Sequence, residues 1–343
     1  MKAVIMAGGE GRRLKAVSGE LPKPMVPLLG RPMLEHITAL LKKHGFTDIC
    51  MAVKYHAQDI IDHFGDGSRF GLNITYSVEK EALGTAGAVK NCESFWRGED
   101  FLVISGDAAC DMDLGELCRE HKKGSAAATL ALCRSAEPLS YGLALTDAEG
   151  AIRCFIEKPG WPQVVTDLVN TGIYMLSPQA MELVPEGMAF DFAKDLFPLL
   201  LERGEKLRGL SLDGYWCDVG SPLSYYRCCV DALEGRLDIE PSPAFARGVS
   251  QCQSGESHME ECDESLVCSC KNRAALMGAL SGAMLDMGAD YSDGLRLEGR
   301  GYTLHIAPLA DSAAVRVAVR SADAEFARSL AFSASELIAA LDL

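Results

Sequence analysis

Short runs of apolar and β-branched residues alternate with segments of helical periodicity over residues 2–212, and this alternation constrains the fold more than any other feature. Residues 2–6 form the first run, and residues 32–44 carry Met33, Ile37 and Leu40 at helical spacing. The alternation is typical of a sheet covered by helices on both faces. We therefore predict an α/β fold with a doubly wound, mostly parallel, Rossmann-like sheet, followed by a small α+β domain. The same periodicities predict further strands at 48–53, 73–78, 101–105, 126–133, 142–146, 152–156 and 172–176, and helices at 86–92, 113–121, 192–203 and 222–234.

A stretch rich in Pro, Ser, Gly, Gln and Glu interrupts this pattern near residue 236. Such composition is typical of a linker. We expect a first domain at 1–235, a linker at 236–264 and a compact second unit at 265–343, which agrees with a 343-residue chain too long for one core. In the second unit the pattern predicts a helix at 271–287, strands at 294–297, 302–306 and 314–320, and a helix at 322–341.

The charge balance excludes one class of partner. The chain has 33 Lys and Arg against 48 Asp and Glu, a net charge of −15, and such a field repels nucleic acid. The apolar run at the N-terminus is too short for a signal sequence, and no segment reaches the roughly 18 apolar residues of a membrane span. We expect a cytoplasmic protein without a nucleic-acid or membrane partner, and a homo-oligomer stays possible.

Thirteen cysteines are many for such a chain. Most are scattered through apolar segments, which favours reduced core thiols over a disulfide framework; examples are Cys50, Cys133, Cys154, Cys228 and Cys229. A second group lacks the paired Cys-x-x-Cys spacing of zinc sites, so reduced thiols are favoured there too. That group consists of Cys252, Cys262, Cys268 and Cys270, near His258.

A glycine-rich loop directly follows the first predicted strand. It reads Ala7-Gly8-Gly9-Glu10-Gly11-Arg12-Arg13-Leu14. The glycines let the backbone turn sharply and present several N–H groups to a phosphate, and the arginines add positive charge. A purely structural turn is one alternative. A dinucleotide-binding loop is another, although its Gly-x-Gly-x-x-Gly pattern needs glycine where Leu14 stands.

Lys23 lies between Pro22 and Pro24. Prolines stiffen the loop that carries the lysine, and a lysine held in this way suits a fixed phosphate. Taken alone, a solvated loop lysine is the alternative. The glycine loop and the Pro-Lys-Pro together resemble the sugar-phosphate nucleotidyltransferase family, whose signature runs Gly-Gly-x-Gly-Thr-Arg-Leu and then Pro-Lys-Pro. The resemblance implies Arg13 and Lys23 as catalytic residues and assigns nucleotide binding to Ala7, Gly8, Gly9, Gly11 and Arg12.

Further landmarks of this family recur in order up to residue 235. Leu83-Gly84-Thr85-Ala86-Gly87 resembles the segment that recognises the base, which implies nucleotide binding by Leu83, Gly84 and Thr85. Ser105-Gly106-Asp107 resembles the family's Gly-Asp segment, which implies nucleotide binding by Gly106 and Mg²⁺ binding by Asp107. Gly214-Tyr215-Trp216-Cys217-Asp218-Val219-Gly220 resembles the motif with the second metal-binding aspartate, Asp218.

The remaining landmarks concern the sugar phosphate. Phe155-Ile156-Glu157-Lys158-Pro159 is similar to the family's Glu-Lys-Pro, and Asn170-Thr171-Gly172 to its Asn-x-Gly. The resemblance thus implies sugar-phosphate binding by Gly142, Glu157, Lys158, Asn170 and Thr171.

The family resemblance implies a nucleotidyltransferase domain at 1–235 that joins a nucleoside triphosphate to a sugar 1-phosphate with Mg²⁺ and releases pyrophosphate. The chain is most similar to mannose-1-phosphate guanylyltransferases, which implies GTP and mannose 1-phosphate. UTP or dTTP with glucose 1-phosphate is an alternative. Arg12 stands where the signature has Thr or Ser, so a nucleotide-sugar-binding regulatory protein without full catalysis is another. A dehydrogenase is disfavoured by Leu14.

Residues 265–343 resemble the last domain of the phosphohexomutases. In those enzymes an Arg-Pro-Ser-x-Thr-Glu-Pro loop clamps phosphate, whereas this chain has Ala307-Pro308-Leu309-Ala310-Asp311-Ser312-Ala313 at that place. The basic and most of the hydroxyl donors are missing, and the serine-bearing catalytic loop is absent. We therefore expect a degenerate domain without mutase activity.

Overall fold

A computed structural model of the protein describes residues 1–14, 21–135, 137–243, 245–246, 262–270, 276–277, 280, 290, 294–299, 302–309, 314–321 and 324–341. The chain divides into two compact units. The first comprises Met1–Glu10 and Leu34–Asp218, and the second comprises Gly11–Met33 and Val219–Leu343. The predicted domain limits of 1–235, 236–264 and 265–343 stay a prediction.

Strands and helices follow one another along the described residues. The strands are β1 (Lys2–Ala7), β2 (Pro27–Leu28), β3 (Arg31–Pro32), β4 (Asp48–Val53), β5 (Asn73–Val78), β6 (Phe101–Ser105), β7 (Ala108–Cys110), β8 (Ala128–Arg134), β9 (Leu143–Thr146), β10 (Ile152–Ile156), β11 (Leu168–Leu176), β12 (Leu207–Ser211), β13 (Trp216–Asp218), β14 (Cys262–Ser269), β15 (Leu295–Gly299), β16 (Tyr302–Pro308) and β17 (Ala314–Ser321). The helices are α1 (Met33–Lys43), α2 (Ala57–Phe64), α3 (Gly84–Lys90), α4 (Glu93–Trp96), α5 (Leu114–Lys123), α6 (Pro178–Met181), α7 (Phe197–Glu202), α8 (Pro222–Leu233) and α9 (Ala324–Leu341).

The first unit is built on one mixed sheet, and the predicted α/β class is confirmed. The strand order is β10-β9-β11-β6-β1-β4-β5, with β8 pairing β11 and β12. Strands β6, β1, β4 and β5 are parallel because each connection between them contains a helix that returns the chain to the same edge. Strand β11 runs antiparallel to β6, β8 and β9. The parallel arrangement therefore holds for the half built from the first 105 residues and for the β8–β12 pair.

Burial explains why the parallel strands were predicted well. Ala3, Val4 and Ile5 of β1 are all fully buried, as expected for a strand covered on both faces. Helix α2 was not predicted: it begins after His56, whose side chain provides no capping hydrogen bond, so the usual sequence signal for a helix start is absent. Strands β7, β12 and β13 were also not predicted, and β7 and β13 have three residues each, too few to show a period.

The predicted helix at 192–203 has an irregular start. Phe192–Leu196 forms a π-helical turn that continues into α7. The Asp191 carboxylate accepts hydrogen bonds from the Ala193 and Lys194 backbone N–H groups and so begins the helix.

The second unit contains an antiparallel sheet in the order β14-β17-β16-β15. Leu304, Ile306 and Val317 of this sheet are fully buried, and they pack in one core with Ala327 and Ile338 of α9. The predicted strands at 294–297, 302–306 and 314–320 and the helix at 322–341 are confirmed, with small shifts of their ends.

Two parts of the second unit differ from the prediction or lie beyond it. Strand β14 was not predicted; it includes residues 262–264 at the end of the predicted linker and pairs with β17 over its whole length. Its alternate residues are exposed, which is why the apolar pattern was weak. The predicted helix at 271–287 lies outside the described residues except for Leu276, Met277 and Leu280.

The segment Gly11–Met33 is anchored within the second unit. The Tyr225 hydroxyl of α8 donates to the Pro27 carbonyl at 2.6 Å. The Ser242 N–H donates to the Leu29 carbonyl at 2.9 Å.

None of the helices in the described ranges combines the length and apolar character needed to cross a bilayer.

The cysteines are mostly core residues, as predicted. Cys50, Cys228 and Cys229 are buried, Cys133 is half-buried and Cys154 is exposed on β10. Burial raises the pKa of the Cys110 and Cys133 thiols to about 12. In the second cysteine group, for which reduced thiols were predicted, Cys270 is buried and Cys268 is half-buried, whereas Cys252 and His258 lie outside the described residues.

Candidate functional site

A cavity of about 330 Å³ in the first unit brings together polar residues that are far apart in the sequence. Several of the residues that the sequence predicted for the sugar, the metal and the base line it together. These are Thr85, Asp107, Gly142, Glu157, Asn170, Thr171 and Asp218. Other lining residues were not predicted: Ser105, Ser140, Tyr141, Tyr174, Asp191, Phe192 and Trp216 are among them.

Asp107 and Asp218 reach the same cavity because two short strands pair. The Gly106 N–H donates to the Met6 carbonyl at 2.9 Å, which keeps the end of β6 beside β1. Strand β7 then pairs antiparallel with β13, and Asp218 lies opposite Ala108, the neighbour of Asp107. Both carboxylates consequently line the same cavity.

The β7–β13 pair is held by a side chain as well as by its backbone. The Tyr215 N–H donates to Asp111 Oδ1 at 2.6 Å, and the Asp111 N–H donates to the Tyr215 carbonyl at 3.2 Å. Across the described residues, no group of three or more His, Cys, Asp or Glu side chains is arranged as a metal site. The two aspartates therefore offer carboxylate oxygens without a full protein cage.

The Asn170–Thr171 step forms one wall of the cavity. The Asn170 N–H donates to the Gly142 carbonyl at 2.8 Å, while its Nδ2 donates to the Tyr174 hydroxyl at 2.9 Å and its Oδ1 accepts from Gly172 N–H at 3.2 Å. The Thr171 hydroxyl is turned inward and donates to the Ala131 carbonyl at 2.7 Å. The Thr171 hydroxyl is therefore bonded within the protein, and the hydrogen bonds of Asn170 fix the orientation of its amide at the cavity wall.

Glu157 faces this wall from β10 and its following turn. Its Oε2 is 2.7 Å from the point where a Cβ on Gly142 would lie, so a larger residue at position 142 would displace the carboxylate. Burial raises the Glu157 pKa, and the nearby charge of Asp191 raises it further. Lys158 is exposed and has φ of 48°, an uncommon backbone conformation for a residue other than glycine.

Tyr141 and Trp216 form an aromatic edge of the cavity that the sequence did not predict as functional. Their ring centroids are 5.2 Å apart in an edge-to-face arrangement. The Trp216 indole N–H donates to the Thr171 carbonyl at 2.9 Å. Burial, with the Asp218 charge as a smaller cause, raises the pKa of Tyr141 to about 12. Tyr141 therefore offers a protonated hydroxyl at neutral pH.

The segment Leu83–Thr85 leads into α3 along one side of the cavity. Gly84 has φ of 68°, and a Cβ there would lie 2.7 Å from the Phe190 carbonyl oxygen, so this position needs glycine. The Thr85 hydroxyl donates to Asp191 Oδ2 at 2.8 Å and accepts from the Phe192 N–H at 2.9 Å. Thr85 is thus bonded to the protein through its side chain.

Glu79 is a candidate residue that the sequence reasoning missed. Its Oε2 accepts from the Leu83 N–H at 3.1 Å, and its Oε1 is 2.9 Å from the point where a Cβ on Gly8 would lie. Burial raises the Glu79 pKa above its ordinary value. Glu79 directly follows the carboxyl end of β5, where parallel sheets commonly place ligand contacts, and that position was an available signal.

The glycine loop begins where β1 ends. Ala7 is buried, Gly8 is half-buried and Gly9 is exposed. Gly11, Arg13 and Lys23 belong to the second unit, in which Gly11 has φ of 64° and a Cβ there would lie 2.6 Å from Lys23 Cβ.

The two basic residues differ in their exposure. Arg13 is exposed and follows Gly11 in a short 3₁₀ turn, whereas Lys23 is only 7% exposed. The Arg12 side chain and residues 15–20 lie outside the described part of the chain.

Known proteins resemble this chain over the same region. A family model described as nucleotidyl transferase matches residues 2–235. A UTP–glucose-1-phosphate uridylyltransferase of Synechocystis sp. is 36% identical over 269 residues, which cover 73% of this chain and 69% of that protein. A mannose-1-phosphate guanylyltransferase of Mycobacterium tuberculosis is 32% identical over 300 residues, which cover 87% of this chain and 78% of that protein.

A solved structure matches as well. HddC from Yersinia pseudotuberculosis complexed with GMP-PN has a TM-score of 0.57 and 30% identity, with 66% of this chain and 97% of that chain covered. The family model spans most of the chain, and it includes the cavity residues described above. This chain belongs to the nucleotidyl transferase family and is a sugar-1-phosphate nucleotidyltransferase.

Proposed function

We propose that this enzyme joins GTP and mannose 1-phosphate to form GDP-mannose and pyrophosphate. The position of Glu79 between Gly8 and Leu83 carries the choice of base. Guanine presents adjacent N–H donors on one edge, and a carboxylate accepts such donors in pairs. Uracil and thymine present a single N–H between two carbonyl oxygens, and these oxygens and a carboxylate repel each other. The name of the M. tuberculosis relative and the GMP-PN bound to HddC support the same choice.

UTP with glucose 1-phosphate is the second candidate. The Synechocystis relative bears the name of a uridylyltransferase and is more similar in identity than the M. tuberculosis protein. The two candidates use the same reaction and differ in the base edge and in the sugar.

The residues would share the reaction as follows. A phosphate oxygen of the sugar 1-phosphate attacks the α-phosphorus in line, the bond to the bridging oxygen breaks, and pyrophosphate leaves with that oxygen. Main-chain N–H groups of Ala7, Gly8, Gly9 and Gly11 would hold the triphosphate. Gly106, whose N–H is bonded to the Met6 carbonyl, would let the nucleotide approach its backbone closely because it has no side chain. Arg13 and Lys23 would neutralise the charge that grows on the leaving pyrophosphate. No covalent enzyme intermediate is needed for this substitution.

The acceptor sugar phosphate would bind in the cavity. The positively charged side chain of Lys158, whose backbone has a positive φ, would hold the phosphate of the sugar. Glu157 would accept hydrogen bonds from the sugar hydroxyls, and Asn170 would both donate to them and accept from them. The Thr171 main chain and the Tyr141 hydroxyl would complete the polar wall.

Asp107 and Asp218 fit a Mg²⁺ ion. Both are half-buried carboxylates that line one cavity, and Mg²⁺ in such sites takes one or two carboxylates together with substrate phosphates and water. When bound, the ion would neutralise phosphate charge and orient the triphosphate. The protein itself contributes the two carboxylates, whose backbone positions are set by the β7–β13 pairing.

Pyrophosphate release from purified protein tests this function. GTP, UTP, dTTP and ATP are each combined with mannose 1-phosphate and glucose 1-phosphate in the presence of Mg²⁺. GTP with mannose 1-phosphate should give the highest kcat/KM. Highest activity with UTP and glucose 1-phosphate would favour the second candidate, and no pyrophosphate from any pair would refute both.

Substitution of Glu79 tests the base assignment separately. Glu79→Gln keeps the size but replaces one acceptor oxygen by an N–H₂ donor, so the preference for GTP over UTP should fall about tenfold to a hundredfold, the range of one well-placed polar contact. Glu81→Gln, two residues away on an exposed part of the loop, is the matched control. An unchanged GTP/UTP ratio in Glu79→Gln would show that Glu79 does not read the base.

For the C-terminal part we propose a degenerate relative of the phosphohexomutase domain, with limits at 265–343 after a 236–264 linker. Its missing phosphate-clamp residues support the absence of mutase activity. Purified protein incubated with mannose 1-phosphate or mannose 6-phosphate should not interconvert them. Measurable interconversion would contradict the proposal.

A further inference from the structure

The start of α3 is fastened to the loop at 188–192. The Ala86 and Gly87 N–H groups donate to the Phe190 carbonyl at 2.9 and 3.0 Å, and the Phe190 N–H donates to the Leu83 carbonyl at 2.9 Å. A Cβ on Gly87 would lie 2.6 Å from the Met188 carbonyl oxygen, so the two segments are in close contact. The segment that the sequence predicts for the base is therefore tied to a loop more than a hundred residues later in the chain.

Thr85 makes the side-chain part of this connection. Its hydroxyl donates to Asp191 Oδ2 at 2.8 Å and accepts from the Phe192 N–H at 2.9 Å. A hydroxyl has a single hydrogen, and here that hydrogen is used on Asp191. The side chain consequently has no hydrogen left to donate to a nucleotide.

Asp191 is fixed on its other side. Its Oδ1 accepts from the Ala193 N–H at 2.9 Å and from the Lys194 N–H at 3.1 Å. Phe192 and Ala193, which directly follow, line the cavity together with Glu157 and Asn170. Any shift of Asp191 would therefore move the wall against which the sugar would bind. We call the hydrogen-bonded pair Thr85 and Asp191 the clasp.

We propose that the clasp positions the sugar side of the cavity, so that Thr85 acts on sugar binding through Asp191 and not as a direct ligand of the nucleotide. The inference rests on the proposed nucleotide-sugar function. Two predictions follow from the hydrogen-bond pattern. Removing the Thr85 hydroxyl should weaken binding of the sugar part only. Removing the acceptor on Asp191 should have the same effect. Because the two groups act as one unit, the two losses should not add in a double variant.

Binding of a nucleotide sugar and of its bare nucleotide separates the two subsites without requiring turnover. Dissociation constants for GDP-mannose and GDP are measured by calorimetry on the full-length protein with Mg²⁺, and those for UDP-glucose and UDP serve as the second pair. The variants are Thr85→Val, Thr85→Ser, Asp191→Asn and the double variant Thr85→Val with Asp191→Asn. Thr38→Val is the matched control, because Thr38 is buried and its hydroxyl donates to the Glu35 carbonyl in α1.

In Thr85→Val the dissociation constant for the nucleotide sugar should rise about tenfold, the effect of one charge-assisted hydrogen bond, while that for the bare nucleotide changes less than about twofold. Thr85→Ser keeps the hydroxyl and should restore tight binding. Asp191→Asn should resemble Thr85→Val, and the double variant should be no weaker than the weaker single variant. Thr38→Val should bind both ligands as the wild type does.

The possible failures are distinct. If the wild type binds neither nucleotide sugar, the proposed function fails and the clasp with it. If the wild type binds but Thr85→Val loses the bare nucleotide as much as the nucleotide sugar, Thr85 is a nucleotide ligand and only the clasp is overturned. Fully additive losses in the double variant would also overturn it.

Discussion

The cavity of the first unit and the sheet of the second unit use similar strands for different purposes. Around the cavity, strand ends and the turns after them carry Asp107, Glu157 and Asp218, and Asn170 lies where the pairing of β11 with β8 is interrupted. In the sheet β14-β17-β16-β15, alternate residues such as Leu304 enter the core, and the outer positions carry exposed charges. The difference teaches that chemistry collects where several chain segments end together, whereas a regular antiparallel sheet mainly supplies core.

The largest expected effect is on the cavity side of this comparison. Asp218→Asn should lower kcat by about a hundredfold to a thousandfold, the usual effect of removing one group that stabilises transition-state charge. Steady-state pyrophosphate release measures this, and thermal unfolding should show an intact fold. Asp107→Asn should behave in the same way.

Asp113→Asn is the matched control for these aspartates. Asp113 begins α5 by accepting from the Gly115 and Glu116 N–H groups, and asparagine caps a helix about as well as aspartate. This variant should keep wild-type activity. Equal losses in Asp113→Asn and Asp218→Asn would mean that the cavity aspartates have no special part in the reaction.

The second unit should respond in stability. Leu304 is fully buried in its core, so Leu304→Ala should reduce the free energy of unfolding by about 2–5 kcal/mol through lost burial and a remaining cavity. At 25 °C, where the variant is still folded, kcat should change less than about twofold if this sheet takes no part in chemistry. Urea unfolding and pyrophosphate release measure the two effects. A tenfold lower kcat in folded protein would break the comparison.

A smaller effect should appear in the pH dependence of stability. Burial raises the Glu157 pKa above its ordinary value in the folded protein. The stabilising contribution of the protonated form is complete below the unfolded pKa and is lost as the pH rises through the folded pKa. Glu157→Gln cannot ionise, so its melting temperature relative to wild type should increase from pH 4 to pH 7.

Thermal unfolding across that pH range measures the trend, and Glu202→Gln, at an exposed end of α7, is the control. If the difference in melting temperature between Glu157→Gln and wild type stays constant with pH, Glu157 ionises as easily in the folded protein as in the unfolded chain.

The smallest effect concerns an exposed ion pair of the second unit. Arg320 Nε lies 2.9 Å from Asp263 Oδ1, and both side chains are more than half exposed, at 57% and 63%. Surface pairs of this kind contribute about 0–1 kcal/mol. Arg320→Ala should therefore change the free energy of unfolding by less than about 1 kcal/mol. A larger loss in urea unfolding would mean that the outer face of this sheet is not simply solvated.

Local patterns predicted much of the fold. The long apolar runs of β1, β4 and β6 were found with little error because buried parallel strands are apolar along most of their length. Strands β7 and β13 were not found, although they bring Asp107 and Asp218 together, because three residues show no period and their pairing joins distant parts of the chain. Asp191 was missed because its partner Thr85 lies more than a hundred residues away in the chain. Glu79 was missed although its position directly after β5 was an available signal.

The sequence by itself determined the α/β class, the glycine loop with its basic residues, and the candidate residues of each motif. Periodicity and turn chemistry, which depend on neighbours a few positions apart, reveal the α/β class and the glycine loop, whereas the resemblance to the family implies the candidate residues of each motif. Only the tertiary structure decided that the Thr85 hydroxyl bonds Asp191, that the Thr171 hydroxyl turns inward to Ala131, and that Glu79 stands beside Gly8. A hydrogen-bonding group faces whichever partner the folded chain brings to it, and these partners are set by strand pairing and loop contacts over long sequence distances.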